Sequence, residues 1–106
     1  MKVSITFRHI QASDALKNFV NERMDRLDKY GRKSKEAHVI LSTERHNHNA
    51  EVVLSSKGIK ATGKASTPDM YSSIEEAIGK VEKALRRHHD KIIRSKTHAS
   101  RESLTV

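Results

Sequence analysis

The feature that most constrains this chain is the run from Met70 to Arg94. Along it Met70, Tyr71, Ile74, Ile78, Val81, Leu85 and Ile92 recur at the three-and-four spacing of one helical face. Thr67 is a good N-cap and Pro68 suits a first helical position, so the pattern predicts a helix from there to about Arg94. A helix with a single apolar stripe draws most of its stability from the surface it packs on, and the rest of the chain must supply that surface.

Most of the remainder reads as strands. Lys2 to Phe7, KVSITF, alternates Val3, Ile5 and Phe7 with polar residues, the period-2 pattern of a strand with one buried face. Ser13 or Asp14 then caps a helix to about Tyr30, marked by Leu16, Phe19, Val20, Met24, Leu27 and Tyr30, with Gly31 as its C′ residue. The segments AHVILSTE (Ala37 to Glu44), NAEVVLSS (Asn49 to Ser56) and IKATGKA (Ile59 to Ala65) are rich in β-branched residues and joined by short turns, which implies an antiparallel meander. The order is therefore βαβββα, an α+β layer architecture with two helices on one face of a four-stranded sheet. A right-handed crossover places the first strand parallel to its neighbour. Residues 1–94 are read as one domain, and the polar segment SKTHASRESLTV, residues 95–106, as a flexible tail.

Composition narrows the partner. At 106 residues, 35% hydrophobic and 32% charged, the chain can bury a modest core. It has no cysteine, hence no disulfide framework and no thiolate metal site. It also lacks an apolar run long enough to span a bilayer or serve as a signal-peptide core, so a soluble cytoplasmic protein without membrane contact is expected. The formal net charge of +8 favours a polyanion over an acidic small molecule. Residues 79–106 hold eight Lys and Arg against three Asp and Glu, whereas residues 1–78 hold thirteen against ten, so most of the excess lies in the last quarter.

At roughly 100° per residue, Lys80, Lys83, Arg87, Lys91 and Arg94 fall nearly opposite the apolar face of the second helix, with Arg86 toward one flank. Part of this charge is expected to serve the helix itself, through Glu76–Lys80, Glu82–Arg86 and Asp90–Arg94 at i,i+4 spacing and through bases near the C-terminus. In the first helix Arg23 falls inside the apolar sector, which requires either a guanidinium lifted into the groove between the helices or an ion pair with Asp69 or Glu75. Lys29, Arg32, Lys33 and Lys35 crowd the end of that helix. With the helices side by side, both sets would form one positive surface suited to RNA phosphates.

The seven histidines raise the question of metal or catalysis. His46 and His48 lie two apart in a turn, while His88 and His89 diverge by roughly 100° on a helix, so neither spacing supports a metal site. No convergent carboxylates or phosphate-cradling loop accompany them, and neither an enzymatic activity nor a small-molecule substrate or cofactor is expected.

The stretch DMYSSIEEAIGKVEKALRRHHDK, Asp69 to Lys91, resembles the second helix of the ribosome hibernation-promoting factor family, which includes protein Y and carries the older labels sigma-54 modulation and S30EA-like. DALKNFVNERMDRLDKY is similar to that family's first helix, including a base at Arg23, and HVILSTERHNHNAEVVLSS to its central hairpin. The resemblance covers about residues 1–94. It implies a fold similar to double-stranded-RNA-binding domains, lodged between head and body of the bacterial small ribosomal subunit, where it overlaps the mRNA and tRNA sites and silences idle ribosomes. By this resemblance Lys80, Lys83, Arg86, Arg87 and Lys91 would contact 16S rRNA phosphates, with Arg23, Lys29, Arg32 and Lys33 helping from the first helix. Physically, Asp69 belongs at the helix N-terminus and Tyr71 at the packed edge of the core. His88-His89 departs from the family's more usual single His and Lys, and the second domain of long members is absent, so the chain reads as a short form or an N-terminal portion. A free-standing double-stranded-RNA-binding module is the rival reading.

Overall fold

The computed structural model describes the backbone of residues 1–30, 35–56 and 58–105, and side chains as far as Lys91. In chain order it contains β1 (Lys2–Arg8), α1 (Asp14–Met24) continued by a 3₁₀ segment (Asp25–Tyr30), β2 (Glu36–Glu44), β3 (Asn47–Ser56), β4 (Ile59–Thr67) and α2 (Met70–Thr105). The four strands form one sheet in the order β1-β2-β3-β4. As expected, β1 is parallel to β2, and the other two pairings are antiparallel.

Strand alternation sorts the residues between two faces. Val3, Ala37, Leu54 and Ala61 make one row across the sheet, Ile5, Val39, Val52 and Gly63 the next, and Phe7, Leu41, Ala50 and Ala65 a third. Against these rows pack Leu16, Val20, Met24 and Leu27 from the α1 segment and Met70, Ile74, Ala77, Ile78, Val81 and Leu85 from α2. These helical residues are buried. Gly63 sets the approach of α2 to the sheet, because an added Cβ would stand 2.1 Å from the Ala77 carbonyl oxygen. A residue with any side chain at that point would hold the helix away from β4.

The helix ends depart from the sequence pattern in three places. At the start of α1 the Ser13 hydroxyl accepts from the Leu16 N–H, but α-geometry stops at Met24 and the 3₁₀ segment carries the chain to Tyr30. A physical reason is at hand: the buried Lys35 Nζ donates to the Leu27 carbonyl at 2.6 Å, supplying a partner that a continuing helix would otherwise provide. The expected C′ residue Gly31 lies outside the described residues. At the start of α2 the cap is Asp69, not Thr67. Its Oδ2 accepts from the Ser72 N–H and the Ser72 hydroxyl, both at 2.9 Å, and its carbonyl accepts from the Ser73 N–H. Thr67 remains in β4, paired with His48, and braces the corner through its hydroxyl, so Pro68 precedes the helix instead of opening it. Finally, α2 continues past Arg94 to Thr105, through a stretch that contains neither Pro nor Gly.

Among the described residues no helix is long and apolar enough to cross a membrane.

Candidate nucleic-acid interface

The burial of α2 on its sheet-facing side dictates what the opposite side presents. With Ile74, Ala77, Ile78, Val81 and Leu85 against the sheet, Lys80, Lys83, Arg86, Arg87 and Lys91 all stand exposed. They occupy a ridge roughly 16 Å long at 1.5 Å per residue. The expected pairs Glu76–Lys80 and Glu82–Arg86 do not occur among the described ion pairs. Instead the Lys80 Nζ turns toward the sheet edge and donates to the Lys64 carbonyl at 2.5 Å. Lys83, Arg86, Arg87 and Lys91 have no carboxylate partner among the described residues. The side chain of Arg94 lies outside the described residues, as do Arg32 and Lys33.

The cations of the α1 segment are arranged differently. Four contacts run in order along the groove between the helices: Phe19 with Tyr71, Arg23 with Glu75, Lys29 with Glu82 and Tyr30 with His89. On α2 the partners share one edge of the helix, since Glu75 and Glu82 are seven residues apart. The Arg23 Nε meets Glu75 Oε1 at 2.5 Å, its guanidinium carbon lies 4.4 Å from the Phe19 ring centroid, and its side chain is 23% exposed. Of the two carboxylates weighed for Arg23, Glu75 is therefore the partner. The Lys29 Nζ lies 3.1 Å from Glu82 Oε2 with its side chain 61% exposed. The hydrogen bond to Glu82, followed by the charge of that carboxylate, raises the Lys29 pKa above the ordinary lysine value. The positive surface is thus continuous along α2 and locally neutralised where α1 meets it.

Lys35, grouped by sequence with the bases at the end of α1, is buried. Burial lowers its pKa, and the nearby Asp28 charge opposes that shift only in part. The parity of β2 could have shown this, because Lys35 precedes Ala37, Val39 and Leu41 in the same alternation. The Lys29–Glu82 pair carried no comparable sequence signal, since it depends on how the two helices are set side by side.

At the start of α2, hydrogen bonds from the Ser72 N–H and hydroxyl lower the Asp69 pKa and keep that cap ionised. Tyr71 is 42% exposed, and its ring meets Phe19 edge to face at 4.9 Å, a packing role at the margin of the core. His88 and His89 are half-buried beside Tyr30, Lys35 and Leu85 in a recess of about 200 Å³. Among the described residues no three His, Asp or Glu side chains group as metal ligands would.

The family model described as sigma 54 modulation protein / S30EA ribosomal protein matches residues 3–93. The ribosome hibernation promoting factor of Salmonella typhimurium is 29% identical over 92 residues, covering 87% of this chain and 97% of that protein. The factor of the same name from Azotobacter vinelandii is 28% identical over 93 residues, covering 88% and 87%. Among solved structures, the Thermus thermophilus Protein Y N-terminal domain superposes with a TM-score of 0.79 at 25% identity, covering 83% of this chain and 99% of that one. A ribosomal subunit interface protein from Coxiella burnetii shares the fold, with a TM-score of 0.75 at 19% identity and coverage of 83% and 97%.

Proposed function

Because the chain belongs to the sigma 54 modulation protein / S30EA ribosomal protein family, we propose that it is a ribosome-associated hibernation factor whose RNA contact is the outer ridge of α2. The names of its relatives support the ribosome as partner, and with it a cytoplasmic location. The finer reading is that the domain of residues 1–94 seats in the mRNA and tRNA channel of the small subunit, against 16S rRNA, and silences idle ribosomes. One observation carries it: Lys80, Lys83, Arg86, Arg87 and Lys91 stand on one exposed helix surface, none of them with a carboxylate partner among the described residues. Phosphates are the natural counter-charge for such a surface, and shape and backbone contact, not base readout, would position the domain.

The test is sedimentation of the protein with purified bacterial small subunits over a salt series. Five phosphate contacts correspond to a slope of log K against log salt of about −3.5 to −4.5, at roughly −0.7 to −0.9 per contact. Reversing Lys83 and Arg87 to Glu is expected to weaken binding more than tenfold and flatten the slope by about two contacts. Binding to naked duplex RNA without co-sedimentation with subunits would instead favour the free-standing RNA-binding module.

A further inference from the structure

Glu82 lies on the α2 edge that faces α1, at the margin of the basic ridge and one turn before Arg86, and its carboxylate is directed to Lys29 across the groove. The other cross-groove pair differs in kind. Arg23 is mostly covered, lies over the Phe19 ring and has Glu22 at 3.5 Å as well as Glu75, so it belongs to the packing of the two helices. Lys29 is largely exposed, and Glu82 is the only carboxylate that reaches it among the described residues. Its ammonium stands at the margin of the ridge, accessible to a ligand but already neutralised.

We propose that Glu82 is an affinity-limiting residue: by holding Lys29 it keeps one cation from the RNA phosphates and narrows the contact to the α2 ridge. This rests on the ridge being the RNA-binding surface. A carboxylate at the margin of the ridge, paired with a largely exposed lysine, lowers affinity for a polyanion without disturbing the core. The Arg23–Glu75 pair has no such role, because freeing Arg23 would first require unpacking it from Phe19.

Binding of the full chain to purified bacterial small subunits, measured from about 0.1 to 0.3 M KCl, tests this. Glu82→Gln is expected to bind roughly five- to eightfold more tightly at 0.1 M salt, the contribution of one added phosphate contact, and to steepen the salt slope by about 0.7 to 0.9. Lys29→Gln alone should change affinity less than about twofold, yet in the Glu82→Gln background it should abolish the gain. Thermal melts confirm that each variant is folded, and Glu82→Ala serves as a second variant. The proposal is overturned if Glu82→Gln binds no more tightly, or if its gain survives removal of Lys29, which would reduce the effect to simple repulsion. If reversal of Lys83 and Arg87 abolishes binding while Glu82→Gln changes nothing, this inference alone falls. If that reversal leaves binding intact, the ridge reading falls and the role of Glu82 falls with it.

Discussion

Two glycines in this chain lead to opposite expectations for the same chemical change. Gly63 lies in β4 opposite Val52, beneath α2, and a Cβ there would meet the Ala77 carbonyl oxygen at 2.1 Å and the Lys80 Cβ at 3.1 Å. An ordinary carbon-to-oxygen contact is about 3.3 Å, so Gly63→Ala forces strand and helix apart by about 1.2 Å. Neither obstacle is the free end of a flexible side chain, and α2 cannot move locally because Ile74, Ile78 and Val81 are packed along the same seam. A radial gap of this size forfeits about half of each contact's attraction, which places the cost at or above the upper end of overpacking, about 3 kcal/mol. With a urea m-value of about 1.5 kcal/mol/M for a domain of this size, the midpoint should fall by about 2 M. Gly79, in the exposed part of α2, has no atom within 4 Å of an added Cβ. There Gly79→Ala should gain about 0.8–1 kcal/mol of helix propensity and raise the midpoint by about 0.6 M. Urea unfolding followed by circular dichroism reads both. A Gly63→Ala protein with the wild-type midpoint and m-value would refute the close approach on which the estimate rests.

Two further predictions follow from the titrating groups. Lys35 has a lowered folded-state pKa, so between that value and the ordinary lysine range the unfolded chain binds more protons and stability rises with pH. Lys35→Met should remove that alkaline gain, measured as the difference in urea midpoint between about pH 7 and 10; an unchanged difference would contradict the burial of the ammonium. Asp69 has a lowered folded-state pKa, so its contribution is fully present above the ordinary carboxylate value and is lost as pH falls through the folded one. Asp69→Asn should lower the melting temperature at neutral pH and shrink the acid dependence below about pH 4, and identical acid limbs for both proteins would count against the cap.

The fold was legible because two periodicities alternate along the chain. Ala37, Val39 and Leu41, with Ala50, Val52 and Leu54, assign strand faces by parity, and the three-and-four spacing of α2 assigns a helix face without reference to anything else. The boundaries were less legible because local preference competes with pairing. Thr67 is a good cap in isolation, but a partner in His48 keeps it in the sheet, and the stronger acceptor two residues on takes the helix terminus. The position of the ridge cations could be read for the same reason as the core, since they are its complement on one helix. Lys35 was legible by parity yet masked by the bases around it.

What the sequence could not convey is which charges cancel. Arg23, Lys29 and the ridge cations look alike in a count of net charge, but the register between two helices separates them. Glu75 and Glu82, seven residues apart, lie on the α2 edge that faces α1, and Arg23 and Lys29 are met there in the same order. Charges on that edge are drawn into holding the helices together, whereas charges a third of a turn further round face only solvent. A positive surface on a two-helix layer is therefore narrower than the sum of its bases, and its width is set by the carboxylates along the groove. In this chain Glu82 is the groove carboxylate whose partner, Lys29, is largely exposed, whereas the partner of Glu75 is mostly covered.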